Sequence, residues 1–255
     1  MANLKLMKRV RIYILTLILL ICTTPMVKGQ AAILALIFGD KIASEKFNLS
    51  LEIGGGNNMY SGLIDDTRAP INTFFGLGLN FKMTEHIYFT PAVYFVAKNQ
   101  AQLNALNLES GNPNLDAQFI GAKTHIQTNY TDLPLLFSYQ TNSEKWRFGL
   151  GAQLSFRGKV NATFENNEGE FIQDYKSYTE SFNWGPIAEI DYILPKIRKG
   201  KGLILRLRYF HGMNNVFNQN FAGGTEVKFR GLQFMLGLPF LTDELAQQKL
   251  DRLNK

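Results

Sequence analysis

The chain has 255 residues, 45% hydrophobic and 19% charged, with one Cys and a formal net charge of +6. That hydrophobic content excludes a disordered chain, and one Cys excludes a disulfide framework or a Cys-based zinc site. Residues 1–30 carry Lys5, Lys8, Arg9, Arg11 and Lys28 without an acid, leaving 22 basic against 21 acidic residues in the remainder. The basic character therefore belongs to the first thirty residues, and no nucleic-acid partner is expected.

Those residues have the three-part layout of a Sec-type secretory signal. A basic stretch (1–11) precedes a short apolar run (12–21, IYILTLILLI), and the small residues Val27 and Gly29 place a cut before Gln30. An uncleaved signal anchor is the alternative. A lipid on Cys22 is a further one, opposed by the bulky Ile21 before it. Cleavage defines residues 1–29 as a signal peptide and removes the sole Cys. Residues 30–45 form a short pre-barrel segment, apolar and then charged, suited to a periplasmic or interfacial helix.

After residue 40 no stretch offers the run of ~20 apolar residues that a membrane helix needs. Instead, apolar and polar residues alternate over eight segments, roughly 46–54, 71–82, 86–98, 124–139, 145–157, 182–194, 203–213 and 226–240. In the fifth, Trp146, Phe148, Leu150, Ala152, Leu154 and Phe156 alternate with Arg147, Gly149, Gly151, Gln153 and Ser155. The links between segments are alternately long (55–70, 99–123, 158–181, 214–225) and short (83–85, 140–144, 195–202). That segregation is expected of a barrel with short periplasmic turns at one end and long extracellular loops at the other. The predicted fold is all-β: an eight-stranded antiparallel up-and-down transmembrane β-barrel spanning residues 46–240. An even strand count leaves a periplasmic tail at 241–255, with a short polar helix from Thr242.

An eight-stranded barrel is just wide enough inside for side chains, so the glycine-rich polar faces are assigned inward and the aromatic faces outward. The outward aromatics gather in two groups, as interfacial girdles do. Phe81, Phe89, Tyr139, Trp146, Tyr192 and Phe240 lie on the turn side; Phe75, Phe95, Phe156, Phe182, Trp184 and Tyr209 lie on the loop side. Aromatic stripes filling a soluble β-sandwich are the competing reading.

Charges on the inward faces form the candidate site. The 195–202 turn is centred between residues 198 and 199, which sets Asp191 opposite Arg206 and Glu189 opposite Arg208. Glu52 and Arg147 also face inward and extend the network. Buried ions need partners, so the expected role of Glu52, Arg147, Glu189, Asp191, Arg206 and Arg208 is structural. A proton or ion path is the functional alternative. No HExxH, GxSxG or metal-spaced cluster appears, and His86, His125 and His211 fall on different strands. The residues indicate no catalytic, cofactor or metal site, and no cofactor is expected.

Three segments resemble a known family: ALIFGDKIASEKFNLSLEIGGG (36–56), NYTDLPLLFSY (129–139) and WRFGLGAQ (146–153). They are similar to PorT-family outer-membrane β-barrel proteins of Bacteroidetes, over nearly the whole chain after the signal. The resemblance implies the barrel fold and an outer-membrane address, and transfers no catalytic residues. The family's namesake is linked to type IX secretion, a role not extended to this chain. The expectation is a non-enzymatic, monomeric barrel that contacts outer-membrane lipid and lipopolysaccharide. The barrel assembly machinery handles it during biogenesis, and its outer loops meet an unknown extracellular or envelope protein. A narrow channel or secretion accessory is the first alternative, and a lipid-A-modifying barrel enzyme the second.

Overall fold

A strand with one apolar and one polar face needs a different medium on each side, and an unpaired edge in an apolar medium is costly. The computed structural model describes residues 44, 46–61, 71–103, 108, 110–167, 169–218 and 226–253. In it, both demands are met by a closed ring. Ten strands follow in chain order: β1 (Phe47–Ser61), β2 (Asn72–Lys82), β3 (Ile87–Phe89), β4 (Ala92–Leu103), β5 (Lys123–Gln140), β6 (Trp146–Asn166), β7 (Gly169–Asp174), β8 (Phe182–Leu194), β9 (Leu203–Asn215) and β10 (Lys228–Pro239). Helix α1 (Pro113–Gln118) precedes β5, and helix α2 (Asp243–Leu253) follows β10. The expected signal (1–29) and nearly all of the pre-barrel segment (30–45) lie outside the described residues.

The ring runs β5-β4-β2-β1-β10-β9-β8-β6 and closes through β5–β6, every pair antiparallel. It is the eight-stranded up-and-down barrel that the alternation predicts. β3 and β4 form one wall element, interrupted at Thr90–Pro91, where proline has no N–H to give a neighbouring strand. β7 lies outside the ring, folding back on the loop end of β6 with Asn161 opposite Asp174 and Asn166 opposite Gly169.

Three expectations are corrected. The first segment, expected over 46–54, continues as strand to Ser61, and the fifth, expected over 145–157, continues to Asn166. The long link 158–181 is therefore partly a β6–β7 hairpin rather than a loop. Third, the inward face is polar and glycine-rich over only part of its length. Toward the loop ends it carries Tyr60, Ala101, Ile126, Val160, Ala162, Phe164, Phe210 and Phe229, buried in one apolar core.

The physical cause is a change of solvent along the strand. On β5 the outward residues Leu133, Leu135, Phe137 and Tyr139 give way to Thr131, Asn129, Gln127 and His125. On β6 the outward Trp146–Phe156 run gives way to Asn161, Thr163 and Glu165. At the changeover two steps along β5 (Thr128 to Tyr130) meet three along β6 (Val160 to Arg157), a β-bulge that adds one residue to β6. That residue reverses which parity faces inward. Even-numbered residues of β6 from Trp146 to Phe164 are apolar or glycine, facing outward below the bulge and into the core above it. β4 has the matching irregularity between Tyr94 and Ala97.

The apolar exterior forms a belt. Trp146–Phe156 has the length of about 9–11 residues that a tilted strand needs to cross a bilayer. At the turn end its aromatics touch in sequence around the ring: Phe47–Phe81 at 4.8 Å, Phe81–Phe89 at 6.3 Å and Phe89–Phe137 at 5.1 Å, with Trp146–Tyr192 at 4.8 Å further round. At the loop edge Phe75–Phe95 (5.6 Å) and Phe156–Phe182 (5.4 Å) pair likewise. Among the described residues no helix is long and apolar enough to cross a membrane.

The belt's position is testable by outward charge. Leu150→Arg, at the middle of the belt, is expected to cost about 2–4 kcal/mol of folding free energy in lipid vesicles. Gln127→Arg, beyond its edge, is expected to stay within about 0.5 kcal/mol. Urea titration of both variants in the same vesicles reads the difference, and equal costs would remove the boundary.

Candidate functional site

Along the belt, the barrel interior holds a charged cluster built from four strands. Glu189 lies opposite Arg208 and Asp191 opposite Arg206 on the β8–β9 hairpin. Arg206 forks over three carboxylates: Nε to Asp191 Oδ1 at 2.8 Å and Glu189 Oε1 at 2.9 Å, Nη2 to Asp191 Oδ2 at 3.1 Å, and Nη1 to Glu52 Oε2 at 2.6 Å. Arg208 gives Nε (2.8 Å) and Nη2 (2.5 Å) to Glu189 Oε2. Glu52 arrives from β1, held by Ser50 Oγ at 2.9 Å and by the Tyr94 hydroxyl of β4. The Tyr94 ring in turn lies 5.0 Å beneath the Arg208 guanidinium. All five charged side chains are almost wholly buried, so each depends on the others in place of water.

Gly78 is what lets Glu52 enter. A Cβ at that position would collide with Glu52 Oε1 and lie 2.6 Å from Ser50 Oγ. The packing explains why β2 presents glycine to the interior beside β1.

Arg147 behaves differently from the other five. It is buried inside and sits in register with Asp191 across β6–β8, yet among the described residues it forms no ion pair within 4.0 Å. Its Nη1 donates to Asn80 Oδ1 at 2.7 Å and its Nη2 to Gln140 Oε1 at 2.9 Å, while the guanidinium stacks 4.4 Å over the Tyr88 ring. Asp191 is already taken at both oxygens by Arg206. The expectation that Arg147 extends the ionic network is thus corrected: it forms a separate amide-held layer nearer the turn end.

Sequence reasoning missed a third layer toward the loop end. Asp132 of β5 is buried opposite Ser155 and hydrogen-bonds it, and Gln153 Nε2 donates to Ser155 Oγ at 3.0 Å. Tyr94 was missed as well, being counted only as part of a strand. Inward parity would have found both, because Tyr94 and Asp132 lie on the same faces as Ala92 and Leu136. Neither has an opposite charge in hairpin register, the only pairing a sequence displays directly.

The imidazoles lie apart from this interior. His125 approaches Glu165 at 3.5 Å, and His211 Nδ1 is 3.3 Å from the Tyr209 hydroxyl, both on the outer side. Among the described residues no group of three or more His, Cys, Asp and Glu is arranged to hold a metal ion.

A closed ring with a bilayer-height apolar exterior and self-compensating interior charges defines a transmembrane β-barrel. Residues 40–218 match the family described as outer membrane protein beta-barrel domain, and the chain belongs to that family; it is an integral protein of the bacterial outer membrane. No curated protein sequence matches it. Several solved outer-membrane structures are similar in path. Ail, the attachment invasion locus protein of Yersinia pestis, has a TM-score of 0.38 at 9% identity, over 78% of this chain and 100% of that one. Neisserial surface protein A has 0.37 at 10%, over 75% and 96%. The N-terminal barrel domain of Pseudomonas aeruginosa OprF has 0.32 at 11%, over 75% and 97%.

The two arginine layers differ in what their loss leaves behind. Arg206→Met leaves Asp191 and Glu52 without a cation and Glu189 with Arg208 alone, and is expected to cost about 3–5 kcal/mol or to abolish folding. Arg147→Met strands only amide oxygens and is expected to cost about 1–3 kcal/mol. Heat resistance on gel-shift and urea unfolding in detergent rank the two, and the reverse order would refute the layering.

Proposed function

We propose that this is a non-enzymatic, monomeric barrel of the PorT-like type found in Bacteroidetes, acting through its loop end on a surface or envelope component. The observation that carries this reading is the filled interior. Inside the belt the cross-section is occupied by the Arg206 and Arg208 cluster and the Asp132 layer, and beyond the belt by the aromatic core around Phe164, Phe210 and Phe229. A general diffusion pore needs an aqueous lumen, which barrels gain at about sixteen or more strands.

What the barrel offers instead is a rigid head beyond the belt. The β5–β6 pair continues past the bulge and β7 widens it, so the head is hydrogen-bonded sheet around its own core. Ile120 and Ile172 remain exposed on it, as anchor residues for a contact are. Long loops of this class face the cell exterior, which places lipopolysaccharide and surface proteins within reach. Polar collar residues such as Gln100, Gln127 and Asn161 face outward at the level where lipid headgroups begin.

Photo-crosslinking from Ile172 in intact outer membranes is expected to trap a defined envelope component that the same probe at Leu150 does not. In planar bilayers the purified protein is expected to give no steady, large single-channel steps. Such steps would overturn the filled-barrel reading, and altered lipid A in a deletion strain would favour the enzymatic one.

A further inference from the structure

The turn-end mouth of the barrel is covered by its own C-terminal helix. Thr242 starts α2, accepting the Leu245 N–H at Oγ1 (3.3 Å) and the Ala246 N–H at its carbonyl (3.0 Å). Ala246 is buried, and Lys201 of the 195–202 turn pairs with Asp243 at 3.0 Å. The helix seats on Gly200, which has φ 86°; a Cβ there would lie 2.6 Å from the Ala246 carbonyl oxygen and 2.8 Å from the Leu250 side chain. Only glycine satisfies both the left-handed backbone and the close approach.

Between the helix and the Arg147 layer lies a cavity of about 40 Å³. That is room for a few waters or for one small oxyanion. Its polar lining consists of Arg147, Lys201 and Lys249 with the amides of Asn48 and Asn80, and among the described residues no acidic side chain borders it. The charge of Lys201 is met by Asp243, whereas among the described residues the other two cations form no direct ion pair, with Asp191 and Glu144 acting on them only from beyond 4.0 Å. Lys249 forms no ion pair within 4.0 Å among the described residues, and burial holds its amine below the usual lysine range. Arg147 spends Nη1 and Nη2 on amide oxygens, and its buried Nε has no partner among the described residues. Asn80 Nδ2 donates to Asn48 Oδ1 at 3.2 Å, which leaves the Asn48 amide N–H groups as further donors. The nearby acids are committed or distant: Asp191 is held by Arg206 at both oxygens, and Glu144 lies beyond ion-pair range of Lys249.

Two cations without a direct ion pair, with the Asn48 amide donors, around a cavity that no described acid borders, favour an anion that supplies charge-assisted hydrogen bonds. We propose that the turn-end mouth is a binding site for one phosphate-type oxyanion, held by Arg147, Lys249 and the Asn48 amide under α2 as a lid. The group enters from the periplasmic side, where turn ends of this class lie, either as free phosphate or as the phosphodiester of a lipid headgroup. This site is independent of what the loop end contacts.

The test uses the refolded protein in a maltoside detergent, which carries no phosphate. Calorimetric titration proceeds with inorganic phosphate in one arm and a short-chain phosphatidylglycerol in the other, each against chloride at matched ionic strength. Saturable binding is expected in at least one arm, and the arm that saturates identifies the source. Lys249→Gln, on a helix outside the ring, is expected to weaken it by about tenfold or more. Asn48→Ala provides a second variant that leaves both cations in place, with a smaller loss in the same direction. Absence of a saturable component in both arms, or equal affinity in wild type and Lys249→Gln, would overturn the site.

Discussion

An eight-stranded ring encloses a cross-section that side chains can fill and bulk water cannot, and the belt around it is lipid. Any charge placed inside at that level has no solvent on either side, so its counter-charge must be built into the barrel's own inner face. Arg206 is the centre of that solution. It reaches Glu189 and Asp191 on the neighbouring strand β8 and, past Gly237 of β10, Glu52 on β1, while Tyr94 secures Glu52 from a fourth strand. The small residues follow from it: glycine at 78 exists to admit the Glu52 carboxylate. Removing the central guanidinium would leave carboxylates that no rearrangement of a closed ring could hydrate.

The same sheet passes through two solvents, and the bulges mark where it does so. Below them, apolar side chains face lipid and polar ones face each other. Above them the wall stands in water, so the apolar side chains turn in and form a core like that of a soluble protein. One inserted residue in β6 makes this switch without changing the hydrophobic period of its sequence. The barrel is therefore longer than its membrane belt, and among the described residues the excess is hydrogen-bonded sheet around its own core.

Along the belt most interior charges are held by one another, and the ends carry the groups that the network does not use. At the loop end the head exposes apolar side chains above a polar collar. At the turn end α2 encloses cations that the interior network does not use. Arg147 marks the division: it shares the barrel with the ionic cluster but takes its hydrogen bonds from Asn80 and Gln140, leaving its charge to the mouth.

Much of this was legible in the chain itself. The period of two, the alternation of long and short links, and the register of Glu189 with Arg208 and Asp191 with Arg206 are local properties. A hairpin's pairing is fixed by its turn, and its faces by strand geometry. What strands far apart in the chain bring together was not legible. That Glu52 meets Arg206, that Asp191 is closed to Arg147, and that Tyr94 and Asp132 belong to the interior all depend on contacts between strands far apart in sequence. The strand extensions were hidden for a related reason: a bulge in β6 breaks the parity count, and only the partner strand shows that pairing continues. The sequence by itself determined the barrel and its hairpins, because alternation and turn length act between neighbours. Ring closure decided which charges meet beyond the hairpin, because a narrow interior brings distant strands within reach of one another and excludes the water that would otherwise keep them apart.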